Sequence, residues 1–424
     1  MFTRSPTTKK LSFFFHLHKS HFSTDIVGDK PVLVRDFIHS ALYDPKHGYF
    51  SQRSRSVGVL ERSIKFNQLE GRKAYMNHLD KIYKRSDISW FTPVELFKPW
   101  YAHGIAEAIM RTTQLSLPLH IYEIGGGSGN LCKGHSRLHN VECTCQSIQQ
   151  HDLHLSGNQS GWGDAKQQPC WVIMLEVLDN LPHDLVYSEN QIFPWKEVWV
   201  EKQHDKESLF ELYKPLEDPL IKRCVEIVEL DKNQSVSIAK SVWSKVFPKP
   251  RRCWLPTGCL KLLEVLHEVL PRMSLIASDF SFLPDVSIPG ERAPLVSTKK
   301  DGRSEDYNSY LDAKGDADIF FPTDFWLLER MDHYCSGWMK LHGDNSTNQG
   351  KKRRTLVLDT SAFMEEFERI KLTTNLYSLD CIIRKRNESH LKLNTVKQLF
   401  WDVYLQAEKG RFVDWNHNSR SSDG

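Results

Sequence analysis

Apolar residues follow two spacings along this chain, and segments with the two spacings alternate. Positions three or four apart are apolar in residues 34–42, 97–109 and 262–270, which predicts helices. Short, dense apolar runs lie between them, and such runs are typical of strands buried on both faces. The predicted strands are 119–124, 172–178, 198–200, 274–280 and 356–358. Strands that alternate with helices predict an α/β fold with a doubly wound, mostly parallel sheet.

Composition changes this picture little but excludes several classes of protein. The 424 residues are 40% hydrophobic and 26% charged, as in ordinary globular proteins, and suffice for more than one module. Since no run of about 18 apolar residues occurs, we expect no membrane span. A net charge of +3 does not by itself indicate a nucleic-acid partner. Nine cysteines without a Cys-x-x-Cys pair indicate reduced, intracellular thiols.

The first 24 residues differ from the rest of the chain. They contain several hydroxyl side chains, a short apolar stretch and no acidic residue. Their basic residues are Arg4, Lys9, Lys10 and Lys19. This composition is typical of an organelle transit peptide. A disordered basic tail is the alternative, and the apolar stretch is too short and too interrupted for a secretory signal.

Glycines follow the predicted strand 119–124 at once. The acid Glu123 opens the motif, and its glycines are Gly125, Gly127 and Gly129. Glycines at such a turn let the backbone approach a ligand closely. The dinucleotide pattern would need a further glycine directly after Gly129, and the phosphate-loop pattern would need Gly-Lys-Ser/Thr, so neither fits. The remaining acid-x-Gly-x-Gly-x-Gly order resembles the first motif of class I S-adenosylmethionine methyltransferases. A purely structural turn is the alternative.

Two acids stand at the end of the apolar run 172–178. Glu176 and Asp179 lie where the strand would end, and ligands of open α/β sheets bind at the carboxyl ends of the strands. A carboxylate in such surroundings is costly unless it is paired or faces a polar cavity. The two acids could together hold a guanidinium group, whose planar fork suits carboxylates. Alternatively, Asp179 caps a following helix and Glu176 pairs with a structural arginine.

Six segments are recognisable together. They are 34–37 (VRDF), 41–50 (ALYDPKHGYF), 122–129 (YEIGGGSG), 175–182 (LEVLDNLP), 278–281 (SDFS) and 315–325. They resemble the MidA-like family of mitochondrial complex I assembly-factor protein arginine methyltransferases, over roughly residues 30–330. The resemblance implies S-adenosylmethionine as cofactor, protein arginine N-methylation, a complex I subunit as protein substrate, and a place in the mitochondrial matrix. It makes Glu176 and Asp179 catalytic, and it makes Glu123 and the three glycines cofactor ligands.

Composition, patterning and the resemblance together predict four parts of the chain. Residues 1–24 form the transit peptide, and residues 25–115 form an N-terminal helical region. A methyltransferase-like domain spans 116–380 and contains a long polar insertion at about 285–350. A charged, irregular tail occupies 381–424.

One segment is shorter than the fold requires. Helix, strand, helix, strand and helix should separate the glycine turn from the strand at 172, which takes about 65 residues. Only 41 residues lie between Gly129 and Trp171. We therefore predict that one βα unit is missing at 130–170. Glu142, 19 residues after Glu123, is the candidate for the acid that binds the cofactor's ribose, since the usual spacing is about 20.

The same short segment is rich in possible metal ligands. Its cysteines and histidines lack the usual Cys-x₂₋₄-Cys…His spacing, although His135 and His139 share one face of a helix if that segment is helical. An irregular loop with incidental thiols is the simpler interpretation, so we predict no metal site.

Three functions remain open. The first is an arginine-directed methyltransferase, which mainly has to align the nucleophile with an already activated methyl group and exclude water. The second is a non-catalytic assembly factor that keeps the fold and binds complex I subunits, and the short segment 130–170 favours it. The third, a methyltransferase of small molecules or nucleic acid, is disfavoured by the near-neutral charge.

A fusion of residues 1–24 to a fluorescent reporter should enter mitochondria, because the segment is basic, amphipathic and free of acids. Fluorescence microscopy against a mitochondrial marker measures this. In the matched control, glutamine replaces Arg4, Lys9, Lys10 and Lys19, and the reporter should stay in the cytosol. Cytosolic fluorescence of the unaltered fusion would contradict the transit peptide and weaken the complex I interpretation.

Overall fold

The computed structural model describes fifteen stretches of the chain, from residue 27 to residue 385. They are 27–28, 30–52, 58–69, 71–85, 91–113, 119–125, 143–148, 168–189, 194–203, 208–229, 250–283, 286–300, 303–337, 354–368 and 380–385. The predicted transit peptide at 1–24 lies outside these residues, and so do most of the short segment 130–170 and most of the tail.

Helices and strands alternate through these stretches. The helices are α1 Val34–Tyr43, α2 Tyr49–Gln52, α3 Gly71–Arg85, α4 Pro93–Leu96, α5 Trp100–Thr112, α6 Pro219–Glu229, α7 Thr257–Val269, α8 Phe325–Cys335 and α9 Thr360–Glu368. The strands are β1 Val32–Leu33, β2 Leu119–Ile124, β3 Cys143–Ile148, β4 Cys170–Leu175, β5 Asp184–Ser188, β6 Lys196–Lys202, β7 Leu209–Pro215, β8 Arg251–Leu255, β9 Met273–Asp279, β10 Leu295–Lys300, β11 Arg303–Asp306, β12 Asp318–Phe320, β13 Arg354–Asp359 and β14 Asp380–Lys385.

A six-stranded sheet forms the centre of the molecule, in the order β13-β14-β9-β4-β2-β3. Strands β2, β3, β4 and β9 pair with their neighbours in parallel, whereas β14 is antiparallel to both β9 and β13. The fold is therefore mixed α/β with a parallel core, as the sequence predicts. Strand β14 lies at positions that the sequence pattern assigned to the tail from 381 onward, because its apolar core is only three residues long and is flanked by charges.

Helices cover both faces of this sheet. Successive side chains of a strand point to opposite faces, so the apolar run of β4 divides between two cores. Val172 and Met174 join the core formed with α6, α7 and α8. Trp171 and Ile173 join the core formed with α5 and α9. This two-sided burial is the physical reason why β4 is apolar at nearly every position.

A second, antiparallel sheet contains β1, β5, β6, β7 and β8, and a third contains β10, β11 and β12. The segment predicted as a strand at 198–200 belongs to β6 and lies in the second sheet, not in the parallel sheet. Helix α1 packs on these sheets, since Phe37 shares a core with Trp254 and Tyr310. Helix α1, the second sheet and the insertion thus form one packed layer.

A buried ion cluster ties this layer to the central core. Arg35 on α1 donates from Nη1 to Asp184 at 2.8 Å and to Asp218 at 3.0 Å, and Nη2 donates to Asp218 at 2.5 Å. Asp184 is fully buried and also accepts the hydroxyl proton of Thr257 at 2.7 Å. Burial raises the pKa of Asp184, and the charge of Arg35 opposes that shift. The carboxylate therefore depends on Arg35 for its charge compensation.

Substitution Arg35→Leu should lower the free energy of unfolding by about 3–5 kcal/mol, because it leaves the buried Asp184 without its cation. Urea denaturation followed by circular dichroism measures the change. The matched control is Lys196→Met, which removes an exposed ion pair with Glu189 and should cost less than about 1 kcal/mol. Equal effects of the two substitutions would show that the Arg35 cluster does not anchor the layer.

Candidate functional site

The glycine turn and the end of β4 lie side by side. Glu123 on β2 pairs with Ile173 on β4, so the two parallel strands end at the same edge of the sheet. Gly125 follows β2 with a φ of +71°, a conformation that side chains other than glycine rarely adopt. A Cβ at this position would stand 2.7 Å from Cγ2 of Val177. The turn is therefore closed against the segment that carries Glu176 and Asp179.

Glu123 is buried at the carboxyl-terminal end of β2, with 5% of its surface exposed. Burial raises its pKa to about 7. Near neutral pH this carboxyl group is consequently divided between its neutral and its ionised form. A ligand group that donates hydrogen bonds to it would favour the ionised form.

The other predicted cofactor ligands lie outside the described residues. Gly127, Gly129 and Glu142 therefore stay predictions. The register of β3 bears on Glu142, because Cys143, the next residue, pairs with Leu119 at the beginning of β2. Gly125 follows the other end of β2, about 20 Å away along the strand. Cys143 therefore lies at the end of the β2–β3 pair that is remote from the glycine turn.

Glu176 occupies a strained position directly after β4. Its φ of +53° lies in the left-handed region, which costs a non-glycine residue about 1–2 kcal/mol. Its N–H donates to the carbonyl oxygen of Ser278 at 2.9 Å, which holds the residue against β9. Its side-chain oxygen Oε1 is buried and has no hydrogen-bond partner among the described residues. Burial, and then the charge of Asp279, raise the pKa of Glu176 well above its usual value.

Asp179 presents a second buried oxygen without a partner. Its side chain is 5% exposed, and Oδ1 accepts no hydrogen bond from the described residues. Burial, and then the charges of Asp279, Asp318 and Glu176, raise the pKa of Asp179 well above its usual value. Strand β5 follows this turn, so Asp179 caps no helix, and that alternative from the sequence is wrong. The pairing of Glu176 with a structural arginine stays a prediction.

Asp279, at the end of β9, holds the turn that carries the two acids. It is fully buried, and its Oδ2 accepts the N–H groups of Leu178 at 2.8 Å and of Asp179 at 3.1 Å. Its Oδ1 accepts the N–H of Phe280 at 2.8 Å. Burial raises its pKa to about 7 in spite of these hydrogen bonds. The sequence motifs predict no separate role for Asp279, although its position near the end of a predicted strand was the available signal.

Residues from outside the parallel core complete this cluster. The side-chain amide of Asn180 donates to Asp318 at 2.9 Å and to the carbonyl oxygen of Ile319 at 3.1 Å. Burial raises the pKa of Asp318 to about 7. The hydroxyl of Tyr43 on α1 donates to the carbonyl oxygen of Asn180 at 3.0 Å. Burial, and then the charges of Asp179 and Asp318, raise the pKa of Tyr43, so its hydroxyl keeps the proton that it donates.

Two further expectations concern metals and membranes. Within the described stretches, no group of three or more histidine, cysteine, aspartate or glutamate side chains could hold a metal ion. The histidine- and cysteine-rich segment that raised the question of zinc lies mostly outside those stretches. In the part of the chain that the structure describes, no helix is long and apolar enough to cross a membrane.

A parallel sheet with a glycine turn after one strand and acids after its neighbour defines the class of α/β proteins that bind nucleotide cofactors. Within that class, the chain belongs to the family described as "Putative S-adenosyl-L-methionine-dependent methyltransferase", whose model matches residues 102–343. This match confirms the resemblance seen in the sequence motifs. The cofactor of the chain is therefore S-adenosylmethionine.

Individual relatives agree with this assignment. The chain is 21% identical over 384 residues to the Schizosaccharomyces pombe protein "Protein arginine methyltransferase NDUFAF7 homolog, mitochondrial", and the match covers 74% of this chain and 81% of that protein. A Burkholderia thailandensis protein, described as a "likely methyl transferase" and solved with bound S-adenosyl-homocysteine, superposes with a TM-score of 0.51. That match has 14% sequence identity and covers 84% of this chain and 88% of the other, so it supports the fold alone.

The described residues fit this cofactor. Gly125 gives the turn after β2 a positive φ and a close approach to Val177, and the buried carboxyl group of Glu123 lies at the end of the same strand. An acid of this kind suits the hydroxyl or ammonium groups of S-adenosylmethionine. The carboxyl oxygens of Glu176 and Asp179 that have no partner among the described residues lie on the neighbouring turn.

Substitution Gly125→Ala should weaken binding of S-adenosyl-homocysteine about tenfold or more, because Ala is strained at a φ of +71° and contacts Val177. Isothermal titration calorimetry measures the affinity. The double substitution Gly125→Ala/Val177→Ala removes the contact but keeps the backbone strain, so it should recover only part of the loss.

Gly28→Ala is the matched control for this prediction. A Cβ at Gly28 meets nothing within 4 Å, so its affinity should equal that of the unsubstituted chain. Unchanged binding by folded Gly125→Ala would show that the glycine turn does not form the cofactor site.

Proposed function

We propose that this chain is a protein arginine N-methyltransferase that acts in the assembly of mitochondrial respiratory complex I. One observation carries the proposal: Glu176 and Asp179, three residues apart beside the glycine turn, each hold a buried carboxyl oxygen without a partner among the described residues. Buried polar atoms without partners are rare, and two of them on one turn call for a polar ligand.

A guanidinium group is the ligand that suits these two acids. It is planar, it carries five N–H donors and it stays protonated at neutral pH. The cofactor, when bound, supplies a methyl group already activated by its sulfonium sulfur. Glu176 and Asp179 would bind the arginine and orient one of its nitrogens. As that nitrogen forms its bond to carbon it must lose one proton, and a carboxylate whose pKa is raised is the better acceptor of that proton.

The same pKa shifts link arginine binding to pH. Without a cation beside them, Glu176 and Asp179 have raised pKa values because of burial and of the neighbouring acids. A bound guanidinium favours their ionised forms and so lowers these pKa values. Binding must therefore release protons, and the affinity for arginine should rise with pH until the free site is ionised.

Other observations support the substrate and the location. The Schizosaccharomyces pombe relative is named as a mitochondrial protein arginine methyltransferase. The basic, acid-free segment 1–24 of this chain has the composition of a transit peptide. A complex I subunit as substrate, and the matrix as location, follow from the family resemblance of the sequence motifs.

The alternative is a methyltransferase-fold assembly factor that binds complex I subunits without turnover. The short segment between Gly129 and Trp171 favours it. In the described residues the central sheet ends at β3, which agrees with a doubly wound sheet that has lost one βα unit at 130–170. That unit would lie beyond β3, on the side of the cofactor's ribose. Such a chain would bind cofactor weakly and still present the acidic turn to its partner.

Substitutions Glu176→Gln and Asp179→Asn should each lower the rate of methyl transfer to arginine peptides at least a hundredfold. They remove the charge that binds the guanidinium and the group that accepts its proton. Transfer of a radioactive methyl group to peptide measures the rate. Binding of S-adenosyl-homocysteine should change less than threefold, and peptide affinity of the unsubstituted chain should rise between pH 6 and 8.

Glu189→Gln is the control for these substitutions, since Glu189 is an exposed acid after β5. Its loss should change neither the rate of methyl transfer nor the binding of S-adenosyl-homocysteine. The assembly factor would be favoured if the unsubstituted chain bound cofactor but transferred no methyl group, while Glu176→Gln still lowered the affinity for peptide. Full activity of both acid variants would contradict the role of the two carboxyl groups.

A further inference from the structure

A groove opens beside the carboxyl ends of the central strands. It encloses about 520 Å³ and lies between the segment after β9, the start of α8 and the strand β13. Its lining is largely apolar and includes Phe282, Leu283, Ile288, Pro322, Trp326 and Val357. A groove of this size holds a few side chains of a polypeptide.

Two large aromatic side chains at this groove are exposed. Trp326 is 70% exposed and Phe282 is 54% exposed, the first and third highest fractions among the large hydrophobic residues that the structure describes. An exposed tryptophan beside an apolar groove is typical of a protein-binding surface. Trp326 lies in the first turn of α8, where the helix holds its backbone in place.

The walls of the groove continue directly from the acceptor turn. Phe321 donates its N–H to the carbonyl oxygen of Asp179 at 2.9 Å, and Pro322 is the next residue. On the other wall, Ser281 stands two residues after Asp279. The two walls are joined, since the N–H of Thr323 donates to the carbonyl oxygen of Phe280 at 2.6 Å. An extended polypeptide advances about 3.3 Å per residue, so a few residues bridge from the turn to the groove.

The charged groups of the groove face each other. Nη1 of Arg292 lies 4.0 Å from Oδ2 of Asp324. Arg292 also donates to the carbonyl oxygen of Trp254 and to the sulfur of Cys253. The other carboxylate oxygen of Asp324 caps α8 by accepting the N–H of Leu327 at 3.0 Å. With both charges engaged, the groove offers an apolar surface and suits an uncharged occupant.

We infer that this groove binds an apolar, extended segment of the substrate protein, two to four residues from the arginine that enters the acceptor turn. The inference rests on the proposed function, because it takes the turn at Glu176–Asp179 to be the acceptor site. Side chains in the groove would fix the register of the substrate, and the two acids would select the arginine. The enzyme would thus recognise both the arginine and the apolar residues next to it in the substrate.

Four fluorescently labelled peptides test this inference on the full chain with S-adenosyl-homocysteine present. One carries arginine flanked by leucine and phenylalanine, and the second carries arginine flanked by serine and glutamine. The other two repeat these flanks with norleucine in place of arginine. Fluorescence anisotropy measures each affinity for the unsubstituted chain, for Trp326→Ala and for Phe210→Ala, a control at an exposed aromatic on β7.

Apolar flanks should strengthen binding about tenfold, and Trp326→Ala should remove that gain, since truncation of a central tryptophan commonly costs tenfold or more. Phe210→Ala should leave the peptide affinities unchanged, and neither substitution should change the affinity for S-adenosyl-homocysteine. The inference would be overturned if peptides with apolar and polar flanks bound equally well. It would also be overturned if Trp326→Ala and Phe210→Ala lowered the peptide affinity by the same factor. If the proposed function alone fails, norleucine and arginine peptides bind alike while the effect of the flanks and of Trp326 persists.

A photo-crosslink identifies the occupant. In Phe282→p-benzoylphenylalanine the reactive group stands at the groove, and mass spectrometry locates its product. A crosslink to the apolar-flanked peptide supports the inference. A crosslink to another segment of this same chain, unchanged by added peptide, would overturn it by showing that the chain covers its own groove.

Discussion

The burial of uncompensated carboxyl groups at the end of β4 is the constraint on which the rest of this region depends. Transfer of an ionised carboxylate into an apolar interior is so unfavourable that such a group stays protonated or acquires a partner. Glu176 and Asp179 have no partner for one oxygen each in the described residues, and Glu176 is held at a positive φ as well. Both costs must be balanced by interactions elsewhere, and the surroundings of the turn show which ones.

Backbone hydrogen bonds supply that balance. Asp279 takes three N–H groups, two of them from the turn itself, and Ser278 takes the N–H of Glu176. The insertion contributes the N–H of Phe321, and α1 contributes the hydroxyl of Tyr43. The acids are thus fixed in place by groups other than their own free oxygens. A preorganised site of this kind needs no rearrangement when its ligand arrives.

The same contacts explain why the parts outside the parallel core are attached as they are. Helix α1 reaches the second sheet through Arg35 and Asp184, and the insertion reaches α1 through the core that contains Phe37 and Tyr310. In this layer, Tyr43 and Asp318 both form hydrogen bonds with Asn180, the residue after Asp179. The parallel core therefore supplies the glycine turn, whereas the added layer contacts the turn that carries the two acids. Specificity for a protein substrate would then reside in the added layer.

Local patterns in the sequence were sufficient for the elements that are buried on two faces. Strands β2, β4 and β9 were predicted correctly because a parallel strand under helices on both faces is mostly apolar. Strand β6 was placed in the wrong sheet, since half-buried antiparallel strands leave a weaker pattern and their partners are far along the chain. Asp279 and Asp318 were not assigned because their partners are about 100 and 138 residues away, a separation that only the folded chain closes.

The choice between enzyme and assembly factor depends on the two carboxyl oxygens, Oε1 of Glu176 and Oδ1 of Asp179, that have no partner among the described residues. Binding to a protein surface alone needs complementary shape and solvated charges, and it gains nothing from carboxyl oxygens that are buried and whose pKa values are raised by burial. Proton transfer does gain from them, since a buried acid with a raised pKa accepts a proton readily and a nearby cation ionises it first. The chain maintains this unfavourable arrangement with four backbone hydrogen bonds at Asp279 and Ser278. That arrangement is understandable if the acids act on a bound arginine, and it favours the methyltransferase over the inactive assembly factor.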